Sequence, residues 1–214
     1  MRIVCLSDSH GFHNAITVPD GDLLIHAGDF TMMGRPREVA DFRDWMASLP
    51  HSEKVVICGN HEKGIEGLTP TEIRRRLGDS MTYVHGDSFL DGMGWGGPWQ
   101  PWFMDWAFNV RRGKLAPYWD RIPDDVRILV THGGPHGILD TAEHVHDEEV
   151  GKHVGCRELS HRLESLGSLK LHVFGHIHEA YGVERVNGTT FVNASVCDLR
   201  YRPVNHPVVV DIDL

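Results

Sequence analysis

The sequence predicts a layered α/β fold built on mixed sheets, and three observations carry that prediction. Short apolar runs that read as strands alternate with helical stretches through the first half. The C-terminal part changes character, with two strand-like runs flanking Asn187-Gly188, a strong hairpin signal. Finally, 214 residues with 41% hydrophobic and 24% charged side chains suit one globular unit, against a norm of about 150 residues per domain. No internal repeat, low-complexity tract or linker divides the chain, so one domain over 1–214 is expected.

The elements follow in order. Arg2 to Ser7 and Leu23 to Ala27 are apolar runs ending in polar residues, as buried strands feeding loops do. Pro36 can open a helix, Val39, Phe42, Trp45, Met46 and Leu49 recur at helical spacing, and Pro50 stops it. Lys54 to Cys58 is the next strand. Thr69-Pro70-Thr71-Glu72 is a capping-box signature for a helix reaching Leu77. Val126 to Val130 reads as a strand. Cys156, Leu159, Leu163 and Leu166 mark a helix before a strand over Lys170 to Phe174. Val183 to Val186, Thr189 to Val192 and Pro207 to Ile212 are the closing strands.

Composition excludes several function classes. No stretch approaches the roughly 18 consecutive apolar residues of a membrane span, and the N-terminal apolar run is too short for a signal peptide. Twenty-one basic against thirty acidic residues give a net charge of −9, which opposes a broad nucleic-acid-binding face. Cys5, Cys58, Cys156 and Cys197 lie far apart without a CxxC pair, the usage of reduced thiols in a cytoplasmic protein.

Histidine is the unusual residue: there are sixteen, nine of them between His132 and His178. Imidazole is the commonest metal ligand, yet a solvated surface also accepts it, so position decides. Five segments sit at predicted strand ends: Asp8-Ser9-His10, Gly28-Asp29, Gly59-Asn60-His61-Glu62, Thr131-His132-Gly133 and Gly175-His176-Ile177-His178. Asp-x-His and His-x-His place two side chains on one side of an extended chain. Glycines at 28, 59 and 175 permit sharp turns. Singly, these segments have ordinary readings: chance pairing in a histidine-rich chain, or Gly, Asn and Asp as turn formers. Jointly, they offer about the donor count that two divalent ions need.

This ordered set resembles the calcineurin-like binuclear metallophosphoesterases, and is most similar to their metallophosphoesterase-domain-containing (MPPED-type) branch. The likeness also runs through His26-Ala27-Gly28-Asp29-Phe30, Gly97-Pro98-Trp99-Gln100-Pro101-Trp102-Phe103, Leu171 to Glu179, Val192 to Cys197 and Tyr201 to Pro207. It implies a four-layer α/β/β/α sandwich with metals at the strand ends. It assigns Asp8, His10 and His178 to one metal, Asn60, His132 and His176 to a second, and Asp29 to a bridge between them. His61 would donate to a phosphate oxygen or the leaving group. Glu62, where the wider family more often has Asp, would orient the His61 ring.

The implied chemistry is phosphoester hydrolysis by a metal-bound hydroxide, with cyclic nucleotides or other small phosphodiesters as substrate. A nuclease or phosphomonoesterase of the same fold, and a nucleotide-binding regulator with slow turnover, are the alternatives; the charge balance counts against polynucleotides. Mixed Asp, Asn and His ligation suits two Mn²⁺ ions, with Fe or Zn²⁺ next and Mg²⁺ a poorer match.

The other histidines read as surface or structural: His13, His51, His85, His136, His144, His146, His153, His161 and His206. His26 reads as a hydrogen-bonded core residue, and Glu143 to Glu149 as a solvated loop. Trp95, Trp99, Trp102, Trp106 and Trp119 fall within 25 residues. They either pack a small core over the sheet edge or, through Trp99, provide a wall for a nucleobase. Asn193 would support the metal ligands from behind or contact the substrate nucleotide, or else only close a turn.

Overall fold

The computed structural model describes residues 1–143 and 152–213. Its first half forms β1 (Arg2–Leu6), β2 (Leu23–His26), α1 (Pro36–Ser48), β3 (Glu53–Val56), α2 (Pro70–Leu77) and β4 (Thr82–Tyr83). There follow β5 (Asp87–Phe89), β6 (Gly94–Gly97), β7 (Gln100–Pro101), β8 (Asn109–Val110) and the one-turn α3 (Ala116–Trp119). The chain continues through β9 (Ile128–Gly133), α4 (Arg157–Leu163), β10 (Leu171–Gly175), β11 (Gly182–Val186), β12 (Thr189–Asn193) and β13 (Val208–Asp211).

Two large mixed sheets result, beside the short parallel pair β7–β8. One has the order β13-β1-β2-β3-β4, the other β11-β12-β10-β9-β6-β5. The inner pairs β1–β2, β2–β3, β6–β9, β9–β10 and β10–β12 are parallel, while β13, β11 and β5 pair antiparallel.

Strand periodicity explains the layering. Ile3, Cys5, Leu23, Ile25, Val55 and Ile57 cluster with Ile128, Val130, Leu171, Val173 and Val192, filling the space between the sheets. Their neighbours Val4, Leu6, Leu24 and Val56 face the opposite way, onto Val39, Phe42 and Met46 of α1 and Ile73 and Leu77 of α2. Leu129 and Trp95 likewise meet Trp119 of α3 and Leu159 of α4 outside the second sheet. The fold is therefore the four-layer α/β/β/α sandwich. Each fully buried aliphatic or aromatic side chain contributes roughly 1.5–3 kcal/mol, so these layers hold the strand ends rigidly.

Local signals operate as expected at α2, where Thr69 Oγ1 accepts from the Glu72 N–H at 3.3 Å and Glu72 Oε2 accepts from the Thr69 N–H at 2.8 Å. The sequence reading assigned nothing to β4 through β8. These strands are two to four residues long and include Gly94, Gly96 and Gly97, too short and too glycine-rich to show a period.

Candidate metal centre

The loops after β1, β2 and β3 meet those at the ends of β9 and β10. Ligand atoms of Asp8, His10 and His178 lie within 4.8 Å of one another, as do those of His10, Asp29 and His61, and those of Asp8, Asp29 and His132. Shared members make these one cluster. His178 Nε2 is 3.2 Å from His10 Nε2 and 3.3 Å from Asp8 Oδ1. His132 Nε2 is 2.9 Å from Asn60 Oδ1 and 3.3 Å from Asp29 Oδ2. The His176 ring stands 5.1 Å from that of His132, edge to face. All eight residues whose ligand or donor roles the resemblance implies are thus brought to one place.

The backbone is strained to achieve this. Asp8, His10, Asp29 and His176 all have left-handed φ, of 55°, 45°, 54° and 70°. Each such non-glycine residue costs on the order of 1–3 kcal/mol, a cost that packing around functional sites commonly sustains. Close approach requires glycine at two points. A β-carbon at Gly28, where φ is +99°, would lie 2.7 Å from His132 Nδ1, and one at Gly175 would overlap the Asp8 and Ser7 side chains.

The imidazoles are held in a common manner. Nδ1 of His61, His132 and His178 lies 2.9, 2.9 and 3.0 Å from the carbonyl oxygens of Met32, Ala27 and Asp198. A carbonyl only accepts, so each Nδ1 carries a proton and Nε2 is presented to the cluster, the arrangement typical of metal-ligating histidines. Asp8 accepts from the His176 N–H at 3.1 Å and from Ser195 Oγ at 2.9 Å, and Asp29 Oδ1 accepts from the His61 N–H at 2.7 Å. Among the described residues, the ion-pair partners of these two buried carboxylates are all histidines.

Electrostatics follow from that pairing. Burial would lower the pKa of His132 and His178, but the Asp29 and Asp8 carboxylates outweigh it and raise both to about 9. Burial would raise Asp8 and Asp29; the neighbouring imidazoles instead hold both well below the usual carboxylate range. His10, pushed down to about 4, and His176, pushed down to about 3, are kept neutral chiefly by burial. His10 Nδ1 is buried without a hydrogen-bond partner. Two carboxylates, an amide oxygen and imidazoles whose Nε2 is neutral or carries a proton that a cation would displace, with no lysine or arginine among them, form a donor set suited to divalent cations.

The structure revises the expectation for Glu62 and sides with one of the readings offered for Trp99 and for Asn193. Glu62 does not orient the His61 ring; the Met32 carbonyl does. The fully buried Glu62 carboxylate instead accepts from the Asp29 N–H at 2.9 Å, the Thr31 N–H at 2.9 Å, Thr31 Oγ1 at 2.8 Å and the Gly59 N–H at 2.7 Å. It clamps the β2 and β3 loops to each other. Burial and the Asp29 charge push its pKa up, but the four donors, two to each oxygen, oppose that shift and leave no acceptor for a carboxyl proton, so the group is held as the carboxylate.

Trp99 is not brought to the cluster. It is buried beside Tyr118, with ring centroids 4.6 Å apart, and packs against Trp95 and Trp119. Asn193 is fully buried, donating to the Ile177 carbonyl at 2.8 Å and accepting from the Ser195 N–H at 3.2 Å, with its Oδ1 2.9 Å from Ser195 Oγ. It steadies the hydroxyl that bonds Asp8 and does not reach the cavity surface.

Residues that the sequence reading passed over line the space above the cluster, a cavity of about 590 Å³. Asp29, Asn60, His61, His176 and His178 form its floor, and Trp102, Phe103, Arg111, Leu199 and Tyr201 rise around it. Trp102 and Phe103 belonged to the noted aromatic stretch; Tyr201 and Ser195 gave no signal beyond the likeness of their segments. A larger groove of about 940 Å³ runs along α3 and α4 and shares only Arg112 with this cavity. His26 is buried and bonds Ser9 Oγ at 2.9 Å. His144, His146 and most of the Glu143 to Glu149 stretch lie outside the described residues.

A family model for calcineurin-like phosphoesterases matches residues 1–180. The chain belongs to this family. It is 42% identical to human metallophosphoesterase domain-containing protein 1 over 236 residues, covering 99% of this chain and 71% of that protein. A UPF0046 protein of Caenorhabditis elegans is 37% identical, covering 100% of this chain and 82% of its own length. The crystal structure of a putative 5′-nucleotidase from Staphylococcus aureus shares the fold, with a TM-score of 0.51 at 16% identity; it matches 90% of this chain, which spans 48% of that one. As a calcineurin-like phosphoesterase, the chain is a metal-dependent phosphoester hydrolase. No helix of the described residues is long and apolar enough to cross a membrane.

Proposed function

We propose that the chain, as one domain over 1–214, hydrolyses small phosphodiesters, with cyclic or related nucleotides as the substrate class. The observation that carries this reading is the convergence of two buried carboxylates with imidazoles whose Nδ1 protons are already committed to backbone carbonyls. Asp8, His10 and His178 would hold one divalent ion, Asn60, His132 and His176 the other, with Asp29 shared. Two such ions, Mn²⁺ by donor type, would supply positive charge to a phosphoryl oxygen and acidify water.

The chain's own residues do the rest. His61, with Nδ1–H donated to Met32, would carry the catalytic proton on Nε2 as the imidazolium and give it to a phosphate oxygen or the leaving group, ending as the neutral ring. Trp102, Phe103 and Tyr201 around the cavity can receive the organic arm of a diester, and the exposed Arg111 on that wall can meet an anionic group. The net charge of −9 disfavours a long polynucleotide. Four buried free cysteines accord with a reducing, cytoplasmic setting.

The test is hydrolysis of bis-p-nitrophenyl phosphate and of a 2′,3′-cyclic nucleotide by metal-stripped protein with and without Mn²⁺. Turnover restored by Mn²⁺ is expected on both. Two bound ions with no turnover, together with tight binding of a nucleoside monophosphate, would replace the hydrolase reading by a nucleotide-binding one.

A further inference from the structure

Trp106 has no place in the reaction as drawn so far, and burial does not account for it. Trp95 and Trp119 are 2% and 0% exposed, whereas Trp106 is only partly buried. Its indole lies against the His61 ring, with centroids 4.2 Å apart and planes 22° from parallel. His10 meets the same imidazole edge-on at 4.4 Å and 75°, and Tyr201 at 5.6 Å and 66°.

The single hydrogen bond from Nδ1 to Met32 fixes one atom of the His61 ring and leaves its plane free to tilt. A flat group stacked along one face removes that freedom. The segment carrying the indole is tied to the His61 loop from both sides. The Ala107 N–H donates to the Asn60 carbonyl at 3.1 Å, and Lys63 Nζ bonds the Asp105 backbone and carboxylate. Asn109 Nδ2 donates to the Trp106 carbonyl at 3.0 Å. Loop and indole therefore move as one unit.

We propose that Trp106 is a positioning residue, setting the plane of the His61 imidazole so that Nε2 faces the group it serves. The inference rests on His61 acting in hydrolysis. Misorientation of a reacting group by about 1 Å can cost on the order of 100-fold. Trp106→Leu is expected to lower kcat about tenfold with KM changed less than threefold and two metal ions retained. The fall should be steeper on a 2′,3′-cyclic nucleotide, whose sugar alkoxide needs a proton, than on bis-p-nitrophenyl phosphate. Trp106→Phe should recover most of the rate, because a stacked ring remains.

A double-mutant cycle decides the matter. In a His61→Asn background, Trp106→Leu should slow hydrolysis no further. If His61→Asn is slow and Trp106→Leu slows it by the same additional factor, Trp106 acts elsewhere and the inference falls while the role of His61 stands. If His61→Asn leaves kcat unchanged, the role of His61 falls and takes the inference with it. A raised KM alone would assign Trp106 to substrate contact instead. Thermal melting of each variant separates these outcomes from a folding defect, and Trp106→Phe supplies the test if Trp106→Leu does not fold.

Discussion

The two sheets meet at the cluster on different terms. Loops of the first sheet carry Asp8, His10, Asp29, Asn60 and His61, and the second sheet adds His132, His176 and His178. On the first sheet the fixing device is ionic: the buried Glu62 carboxylate gathers four hydrogen bonds from two loops. On the second the devices are uncharged. Asn193 holds Ser195, which bonds Asp8, while Thr131 Oγ1, beside His132, bonds the buried His172 Nε2 at 2.8 Å. The sheets are joined at the Ser7–Ser195 bridge, directly before Asp8. A buried acceptor that serves four donors is costly to lose because they stay behind unsatisfied; a device of one or two hydrogen bonds fails by smaller increments.

That contrast predicts the largest effect at Glu62. Glu62→Ala leaves three backbone N–H groups and the Thr31 hydroxyl without their acceptor in a fully buried site. A loss of at least about 3 kcal/mol in unfolding free energy is expected from urea titration of the metal-free protein, since each buried donor left unsatisfied costs about 1–3 kcal/mol. A loss under about 1 kcal/mol would show that water or the loops replace the carboxylate, and the ionic account of the first sheet would be wrong.

A middle-sized effect is expected at His172, and pH reveals it. The ring is fully buried and its pKa is pushed down to about 3, so the folded protein keeps it neutral. In the unfolded chain it titrates near the ordinary value of about 6.5. The unfolded state therefore takes up a proton below pH 6.5 while the folded state does not, and stability is lost as pH falls. Between pH 7 and pH 5 this amounts to about 2 kcal/mol. His172→Phe, of similar shape, should show a flatter stability profile over that interval. An unchanged slope would mean that other groups carry the acid sensitivity.

The same contrast explains what could be read beforehand. The parallel strands were legible because each face of β1, β2 and β3 meets a different apolar layer, giving unbroken buried runs bounded by turn residues. The clustered side chains were legible because they directly follow those runs. The supports beneath them were not. Glu62 adjoins His61 in sequence, which suggested a pairing, yet a tight turn sends the two side chains apart, and the true partner of His61 is a backbone carbonyl 29 residues away. Aromatic density was visible while its depth was not: Trp99 and Trp119 are core, but Trp102 and Phe103 are 53% and 46% exposed on the cavity wall. Nothing local distinguishes a serine such as Ser195, whose importance comes from a partner 187 positions away.

Ser195 carries the smallest expected effect and the sharpest test of the neutral device. Its hydroxyl donates to Asp8 Oδ2, while the His176 N–H and the His178 ring continue to frame that carboxylate. Ser195→Ala removes one of several hydrogen bonds to Asp8, so affinity for the ion assigned to Asp8 should weaken by about tenfold, the low end for an outer support of a metal ligand. Mn²⁺ titration followed by calorimetry should show one site weakened and the other unaltered. Equal weakening of both sites would mean that the second sheet positions the whole cluster through Ser195, and the division of labour between the sheets would have to be abandoned.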